Sequence, residues 1–387
     1  MRIGISGSGG GLGQRGGVQV YLRDLLVALV EADGGHEYVV FVPNGEQPPP
    51  VPGSPRISVA HLATPLPRRR PLRDLALLAL DRPPPRDRLA VEIDDLRVDL
   101  VHWATTRWPV LALKTPVALT FFDMQEAFFP EFFPLRERVG REVAHRRGVR
   151  AARLVLVPSR FTAQSLTERY RTAADKIVLA PVGVGDRFHP QAEAEERARL
   201  DKRYGLPELD FLVYPANPWP HKNHARLMAA LAFLRRERSL EVPLVCTGRL
   251  AGERRSATAL ARSVGLPAEQ VRDVGFVPEA DMPALYRAAR GLVFPSLLEG
   301  FGIPVLEAMA CGCPVACAEV AALPEVGGDA VRYFDPTRTD DIARAVEEIW
   351  TDGALRAELR DRGRERAQSF RWPCVIPRVL EAYERLR

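Results

Sequence analysis

The chain has 387 residues, of which 46% are hydrophobic and 27% charged, with five cysteines and a formal net charge of +5. One core rarely organises more than ~250–300 residues, so two globular units are expected, and the composition excludes disorder along the whole chain. The opening "MRIGISGSGGG" lacks an apolar leader, and no apolar run approaches the ~20 residues of a membrane span, so a cytoplasmic protein is expected.

An odd and small number of cysteines fits free thiols better than a disulfide framework. Through Gly185, Arg and Lys number 25 against 19 Asp and Glu; beyond it they number 29 against 30. The first half carries the excess, which suits a solvated face, a phosphorylated substrate, or peripheral contact with an anionic membrane at its inner face. Its basic residues are not interleaved with aromatics, so nucleic acid is not an expected partner.

In chain order, the first strand candidate is Ile3–Ser6, followed by the glycine-dense "GSGGGLGQRGGVQVYLRDLL". Gly11-Leu12-Gly13-Gln14-Arg15-Gly16 satisfies G-x-G-x-x-G, the phosphate-cradling fingerprint of dinucleotide folds. That reading requires an acidic residue at the end of the second strand, and "EYVVFVPNG" has none before Glu46, so an NAD enzyme is disfavoured. Two readings remain: Gly16 and Gly17 let the backbone of the helix Val18–Val30 approach an anion, or they form only a tight turn.

Further strand candidates are Tyr38–Val42, Ile57–His61, Leu100–Trp103, Val117–Thr120, Leu154–Val157 and Ile177–Ala180. Two proline-rich stretches, "EQPPPVPGSP" and "DRPPPRD", bracket Arg68, Arg69 and Arg70 and read as exposed polyproline-like loops. Between them, "LRDLALLALDR" is a short amphipathic piece suited to core or lid packing, or to a membrane surface. The glycines and prolines of "APVGVGDRFHP" mark a domain junction, and a charged helix is expected over Gln191–Tyr204.

The second half repeats the pattern with Phe211–Tyr214, Leu244–Thr247, Val271–Val274, Gly291–Phe294, Pro314–Cys317 and Val331–Phe334. Near-continuous apolar strands alternating with helices imply parallel sheets covered on both faces, an α/β architecture present twice. The domains are expected at 1–185 and 186–370, with 371–387 as a terminal helix, Pro377 lying in its first turn.

Two stretches here carry chemistry. In "NPWPHKNHARLMAAL", Lys222 and Asn223 stand after a strand and at the start of a helix; the chain has four lysines beside fifty arginines, and a compact ammonium suits a diphosphate. In "FPSLLEGFGIPVLEAMACGCPV", Glu299 precedes the turn Gly300-Phe301-Gly302, and Ile303 opens a helix bearing Glu307. With seven residues between them, the two carboxylates can address two ends of one ligand lying across a helix N-terminus. Cys311, Cys313 and Cys317 read as a helix end, a turn and a buried strand rather than a metal site. His221 and His224 lack a third ligand, and no Asp-x-Asp occurs, Asp94-Asp95 and Asp340-Asp341 being adjacent pairs on helices, so no metal and no cofactor are expected.

The Glu299-x7-Glu307 element in "EGFGIPVLEAMACGCPV", the "WPHKNH" segment and "VGFVPEADMPALYRAA" together resemble the retaining glycosyltransferases of family four, a group of mannosyltransferase-like enzymes with the GT-B fold. The resemblance implies two Rossmann-like, doubly wound parallel-sheet domains facing a central cleft. The N-terminal domain would bind the acceptor, and the C-terminal domain a nucleotide-diphospho-sugar, a co-substrate such as GDP-mannose or a UDP-hexose. It assigns Glu307 to the ribose hydroxyls; Lys222 with the amides of Gly302 and Ile303 to the diphosphate; Glu299 to the donor sugar; Gly17 to the phosphate from the other domain; and the backbone at Val277 and Pro278 to the base.

The implied reaction is hexosyl transfer to an acceptor hydroxyl of a glycan, glycolipid or small molecule, in polysaccharide or glycolipid synthesis. The leaving phosphate would take the acceptor's proton, and the last helix would cross back onto the first domain. Two positions depart from the family pattern: many relatives carry His where this chain has Phe122, with Asp123 retained to orient hydroxyls, and Arg where it has Ala216. Three alternatives stay open: a catalytically silent nucleotide-sugar-binding subunit, a glycosidic-bond phosphorylase, or a nucleotide-sugar epimerase on the same fold.

Overall fold

The computed structural model describes residues 1–7, 17–32, 34–67, 85–106, 108–207, 210–249 and 256–387. The chain divides into two compact units, Met1–Gly183 together with Trp372–Arg387, and Val184–Arg371. Gly16, the rest of the glycine fingerprint, the arginine triplet at 68–70 and the amphipathic piece beside it lie outside the described residues.

The first unit holds strands β1 Arg2–Ser6, β2 Glu37–Val42, β3 Ile57–His61, β4 Leu100–Trp103, β5 Val117–Thr120, β6 Leu154–Val157 and β7 Ile177–Leu179. They form one parallel sheet in the order β3-β2-β1-β4-β5-β6-β7. Every residue of β4, β5 and β6 is buried, the result of covering a parallel sheet on both faces. Helices α1 Gly17–Glu31, α2 Arg88–Asp94, α3 Gln125–Phe128, α4 Leu135–Ala151 and α5 Arg160–Tyr170 connect the strands. Asp87 and Ser159 cap α2 and α5, accepting from Ala90 and Thr162 amides that would otherwise be orphaned.

The second unit holds β8 Leu212–Pro215, β9 Leu244–Thr247, β10 Val271–Asp273, β11 Gly291–Phe294, β12 Val315–Ala318 and β13 Arg332–Phe334, parallel in the order β10-β9-β8-β11-β12-β13. Its helices are α6 Glu196–Tyr204, α7 His224–Arg238, α8 Ala257–Ser263, α9 Met282–Ala288, α10 Ile303–Ala310, α11 Leu323–Gly327, α12 Thr339–Thr351 and α13 Gly353–Gln368. Each strand expected from an apolar run is present, displaced by at most one residue at either end. Cys311 caps α10, Gly312 turns the chain with φ at 71°, Cys313 follows the turn and Cys317 lies in β12; all three thiols are buried and free.

Two expectations need correction. The charged helix begins at Glu196 rather than Gln191. The last helix, α14 Trp372–Glu384, carries Pro377 in its interior, because it starts five residues earlier, at Trp372. The Trp372 indole fills the space against Gly183, where an added Cβ would come within 2.4 Å of the ring.

Helix α14 belongs to the first unit and buries Trp372, Val375, Ile376, Val379, Ala382 and Tyr383. The Tyr383 hydroxyl lies 2.7 Å from His102 Nδ1, and His102 Nε2 lies 2.7 Å from Thr120 Oγ1. Burial pulls the His102 pKa down to about 3, so the imidazole is neutral and bridges α14 to the sheet as one donor and one acceptor. Among the described residues no helix is long and apolar enough to cross a membrane.

Candidate active site

In a doubly wound sheet, ligands bind beyond the carboxyl ends of the strands where the strand order reverses. In the second unit that reversal falls between β8 and β11. Lys222 lies in the loop after β8 and Glu299 in the loop after β11, so the topology brings the two quoted motifs to one crevice.

Lys222 ends a single 3₁₀ turn, Pro220–Lys222, and α7 starts two residues later. Three contacts fix this corner. The buried Tyr214 hydroxyl donates to the Lys222 carbonyl. Asn223, in the left-handed region at φ 62°, donates from its side-chain amide to the carbonyls of Pro295 and Pro336, at 3.1 and 2.8 Å. The Leu297 amide donates to the His221 carbonyl at 2.7 Å.

With the corner fixed, Lys222 Nζ lies 2.5 Å from Glu299 Oε1 and 5.5 Å from the centre of the Phe294 ring. Both side chains are mostly buried, and each compensates the other's charge. An ammonium with three donors and a carboxylate with about four acceptor sites retain capacity for further partners after one mutual bond. A diphosphate would complement the first and sugar hydroxyls the second.

Beyond Glu299 the chain turns through Gly302, whose φ of 109° makes it the residue before α10. An added Cβ there would lie 2.6 Å from Leu323 Cδ2. Helix α10 opens at Ile303 with Pro304 in its first turn; the Val305 amide already donates to the Gly302 carbonyl at 3.0 Å, so the amides that helical geometry leaves without a carbonyl partner at the positive end are those of Gly302 and Ile303. Glu307 follows in the second turn, and its Oε2 accepts from the Tyr286 hydroxyl at 2.9 Å. Phe301 does not face the crevice: its ring is buried 5.8 Å from that of Phe370, edge to face, so the position offers a ligand only backbone. The amide hydrogens of Asn223 likewise hold loops together rather than pointing outward.

Val277 and Pro278 follow β10, Val277 buried and Pro278 half-buried, and the Pro278 carbonyl accepts from Asp281 N at 2.9 Å. Beside them Phe276 is exposed, and the Arg249 guanidinium lies 4.3 Å from its ring centre. Burial holds His224 at a pKa of about 4, its ring 4.6 Å from that of Tyr214; it is a neutral packing residue. No group of three or more potential metal ligands occurs among the described residues.

Gly17 and Asp123 lie in the first unit. Gly17 opens α1. Asp123 is half-buried after β5, and its Oδ2 accepts from Gln125 Nε2 at 3.2 Å. The neighbouring Phe122 ring packs edge-on against Tyr21, 5.0 Å between centroids. In the second unit Ala216, the position where the resemblance implies Arg in many relatives, is buried.

Sequence reasoning missed Tyr214 and Tyr286, whose hydroxyls support Lys222 and Glu307. Each sits in an apolar run, and nothing in such a run distinguishes a tyrosine that fills a core from one aimed at a site. The Arg249–Phe276 pair was also missed, because the two residues lie on different strand ends.

Comparison with known proteins places the chain in a family. The profile described as "Glycosyl transferases group 1" matches residues 196–366, and that of "Glycosyltransferase Family 4" matches residues 15–187. The chain is 33% identical over 268 residues to the O-antigen chain mannosyltransferase B of Escherichia coli, covering 69% of this chain and 70% of that protein. It is 30% identical over 413 residues to the D-inositol 3-phosphate glycosyltransferase of Salinispora arenicola, covering 96% of this chain and 88% of that protein. Among solved structures, Anabaena Alr3699/HepE in complex with UDP-glucose superposes with a TM-score of 0.72 at 19% identity, covering 99% of both chains. The chain belongs to the glycosyltransferases of family 4 and has the GT-B fold.

Proposed function

We propose that this glycosyltransferase moves a hexose from a nucleotide-diphospho-sugar, GDP-mannose or a UDP-hexose, to an acceptor hydroxyl, with retention of anomeric configuration and without a metal ion. The observation that carries the reading is the Lys222–Glu299 pair beside the Gly302 turn, at the reversal of strand order. Breaking the sugar–phosphate bond builds negative charge on the departing diphosphate and positive charge on the sugar ring. Lys222 and the early amides of α10 stabilise the first, and Glu299 the second, more in the transition state than in the ground state. With the charge on the diphosphate met in this way, its departing oxygen takes the acceptor's proton. Asp123 orients hydroxyls, Gly17 approaches phosphate, Glu307 holds the ribose, and the backbone at Val277 and Pro278 meets the base.

Relatives named for O-antigen mannosyl transfer and for glycosylation of inositol 3-phosphate, together with a UDP-glucose-bound structural neighbour, support a sugar nucleotide as donor. They also support a glycan or small polyol acceptor, in polysaccharide or glycolipid synthesis. Peripheral contact with an anionic membrane is supported by α4, where Leu135 is 69% exposed and Val139 lies one turn on. Both line a groove of about 360 Å³ together with Arg138, Arg146 and Arg169 and with Glu126 and Glu142, the last paired with Arg146 at 2.6 Å and Arg169 at 3.0 Å.

The test is a thermal-shift screen of UDP, GDP and ADP sugars followed by product analysis with the donor that binds, because a ligand selective for the native state raises its midpoint. Retained α-configuration in the product and full activity in the presence of a chelator are expected; inversion, loss of activity on chelation, or stabilisation by NAD alone refutes the reading. A second reading, a catalytically silent nucleotide-sugar-binding subunit, is favoured by the packing of Phe122 on Tyr21 and by Ala216. Donor binding without nucleotide release across a broad acceptor panel would select it.

A further inference from the structure

Tyr286 lies on α9, fully buried, and its hydroxyl donates to Glu307 Oε2 at 2.9 Å across the packing of α9 on α10. A phenylalanine would fill the same volume, so packing does not account for the hydroxyl. The hydrogen-bond partner that the described residues give it is Glu307. Burial, with the carboxylate adjacent, raises the phenol pKa well above 10, and the group is a permanent donor at neutral pH.

The geometry of the acceptor matters as much as that of the donor. Glu307 is half-buried at the end of three rotatable bonds, whereas the Tyr286 ring has two and is fixed by the interior, 6.2 Å from the Phe188 ring. A bond from a fixed donor to one carboxylate oxygen sets the plane of the carboxylate. Two vicinal hydroxyls, as on a ribose, can both donate to a carboxylate only when that plane is correctly presented.

We propose that Tyr286 is a positioning residue that orients the Glu307 carboxylate toward the donor's ribose hydroxyls, and thereby sets the preference of the site for ribonucleotides over deoxyribonucleotides. The proposal rests on the assignment of Glu307 to the ribose. Tyr286 itself touches no reacting atom, and its effect falls on donor binding rather than on the chemical step.

The experiment uses calorimetric titration of the full chain with UDP or GDP, whichever binds, and with its 2′,3′-dideoxy analogue, which offers Glu307 no hydroxyl. Wild type should prefer the ribonucleotide by about tenfold or more, since each lost bond to a charged acceptor is worth at least that. Tyr286→Phe should lose about tenfold for the ribonucleotide while binding the dideoxy analogue as wild type does. In turnover, donor KM should rise with kcat within about twofold.

Unchanged dideoxynucleotide binding also serves as the control for a folded site. As a second variant, Tyr286→Phe/Glu307→Ala removes the stranded carboxylate and should match Glu307→Ala alone, because a residue acting only through Glu307 adds nothing once it is gone. Full discrimination retained in Tyr286→Phe, or a further loss in the double variant, overturns the proposal. Absence of discrimination in wild type overturns instead the assignment of Glu307.

Discussion

Replacing Gly302 by alanine should destabilise the second unit by about 2–5 kcal/mol, combining two effects at one position. Gly302 has φ 109° and ψ 48°, and an L-residue in the left-handed region costs roughly 1–2 kcal/mol. The new methyl would also stand 2.6 Å from Leu323 Cδ2, and Leu323 is fully buried, so the contact must be relieved within a packed interior at about 1–3 kcal/mol. Gly312→Ala isolates the first effect: its φ is 71°, but the nearest atoms to an added Cβ are at 3.5 Å, ordinary van der Waals contact. Urea denaturation with linear extrapolation measures both, and in calorimetry the midpoint for Gly302→Ala should fall on the order of 10 °C. Donor affinity should fall with it, because relief of the contact moves the first amides of α10. If Gly302→Ala proves no less stable than Gly312→Ala, the reasoning from Leu323 is wrong.

Lys222→Ala and Glu299→Ala should each lower transfer by about 100-fold or more, the usual loss when one preorganised charge partner is removed, while circular dichroism shows a folded chain; a wild-type rate of nucleotide release in either variant would falsify their assignment. His102 has its folded pKa depressed to about 3 from 6.5, so below pH ~6.5 the unfolded chain binds the extra proton, and the stability present at neutral pH is lost progressively as the pH falls toward 3. That loss is roughly 3 kcal/mol by pH 4; His102→Gln should show a correspondingly shallower decline between pH 7 and 4.5, and equal slopes in urea titrations would rule out His102 as the source. Leu135→Asp with Val139→Asp should abolish cosedimentation with phosphatidylglycerol vesicles at low salt, and undiminished binding by that variant would remove α4 from the membrane reading.

Much of the fold was legible because parallel strands buried on both faces leave an unambiguous mark, short apolar runs such as Leu154–Val157, between Arg153 and Pro158, and Leu244–Thr247, between Pro243 and Gly248. The pairing of Lys222 with Glu299 was less legible: the sequence places each at the end of a strand, but only the strand order brings β8 beside β11. Asn223 and Phe301 sit inside the motifs yet turn their side chains toward loop carbonyls and Phe370. A motif records which positions are constrained, and the constraint can be the shape of a turn as readily as contact with a ligand. The position of Pro377 was misjudged for a local reason, since a strong aromatic anchor at Trp372 sets the helix start regardless of the proline five residues on.

The first unit is discontinuous, closing Met1–Gly183 with Trp372–Arg387. During synthesis its sheet emerges first, yet the Tyr383 hydroxyl that meets His102 leaves the ribosome only after the whole second unit has been made. The usual vectorial order, in which the N-terminal domain matures first, therefore does not hold here: the first unit waits with an open seam until its closing helix is released. A chaperone that shields that seam would act on the first unit until the segment from Trp372 onward arrives to close it.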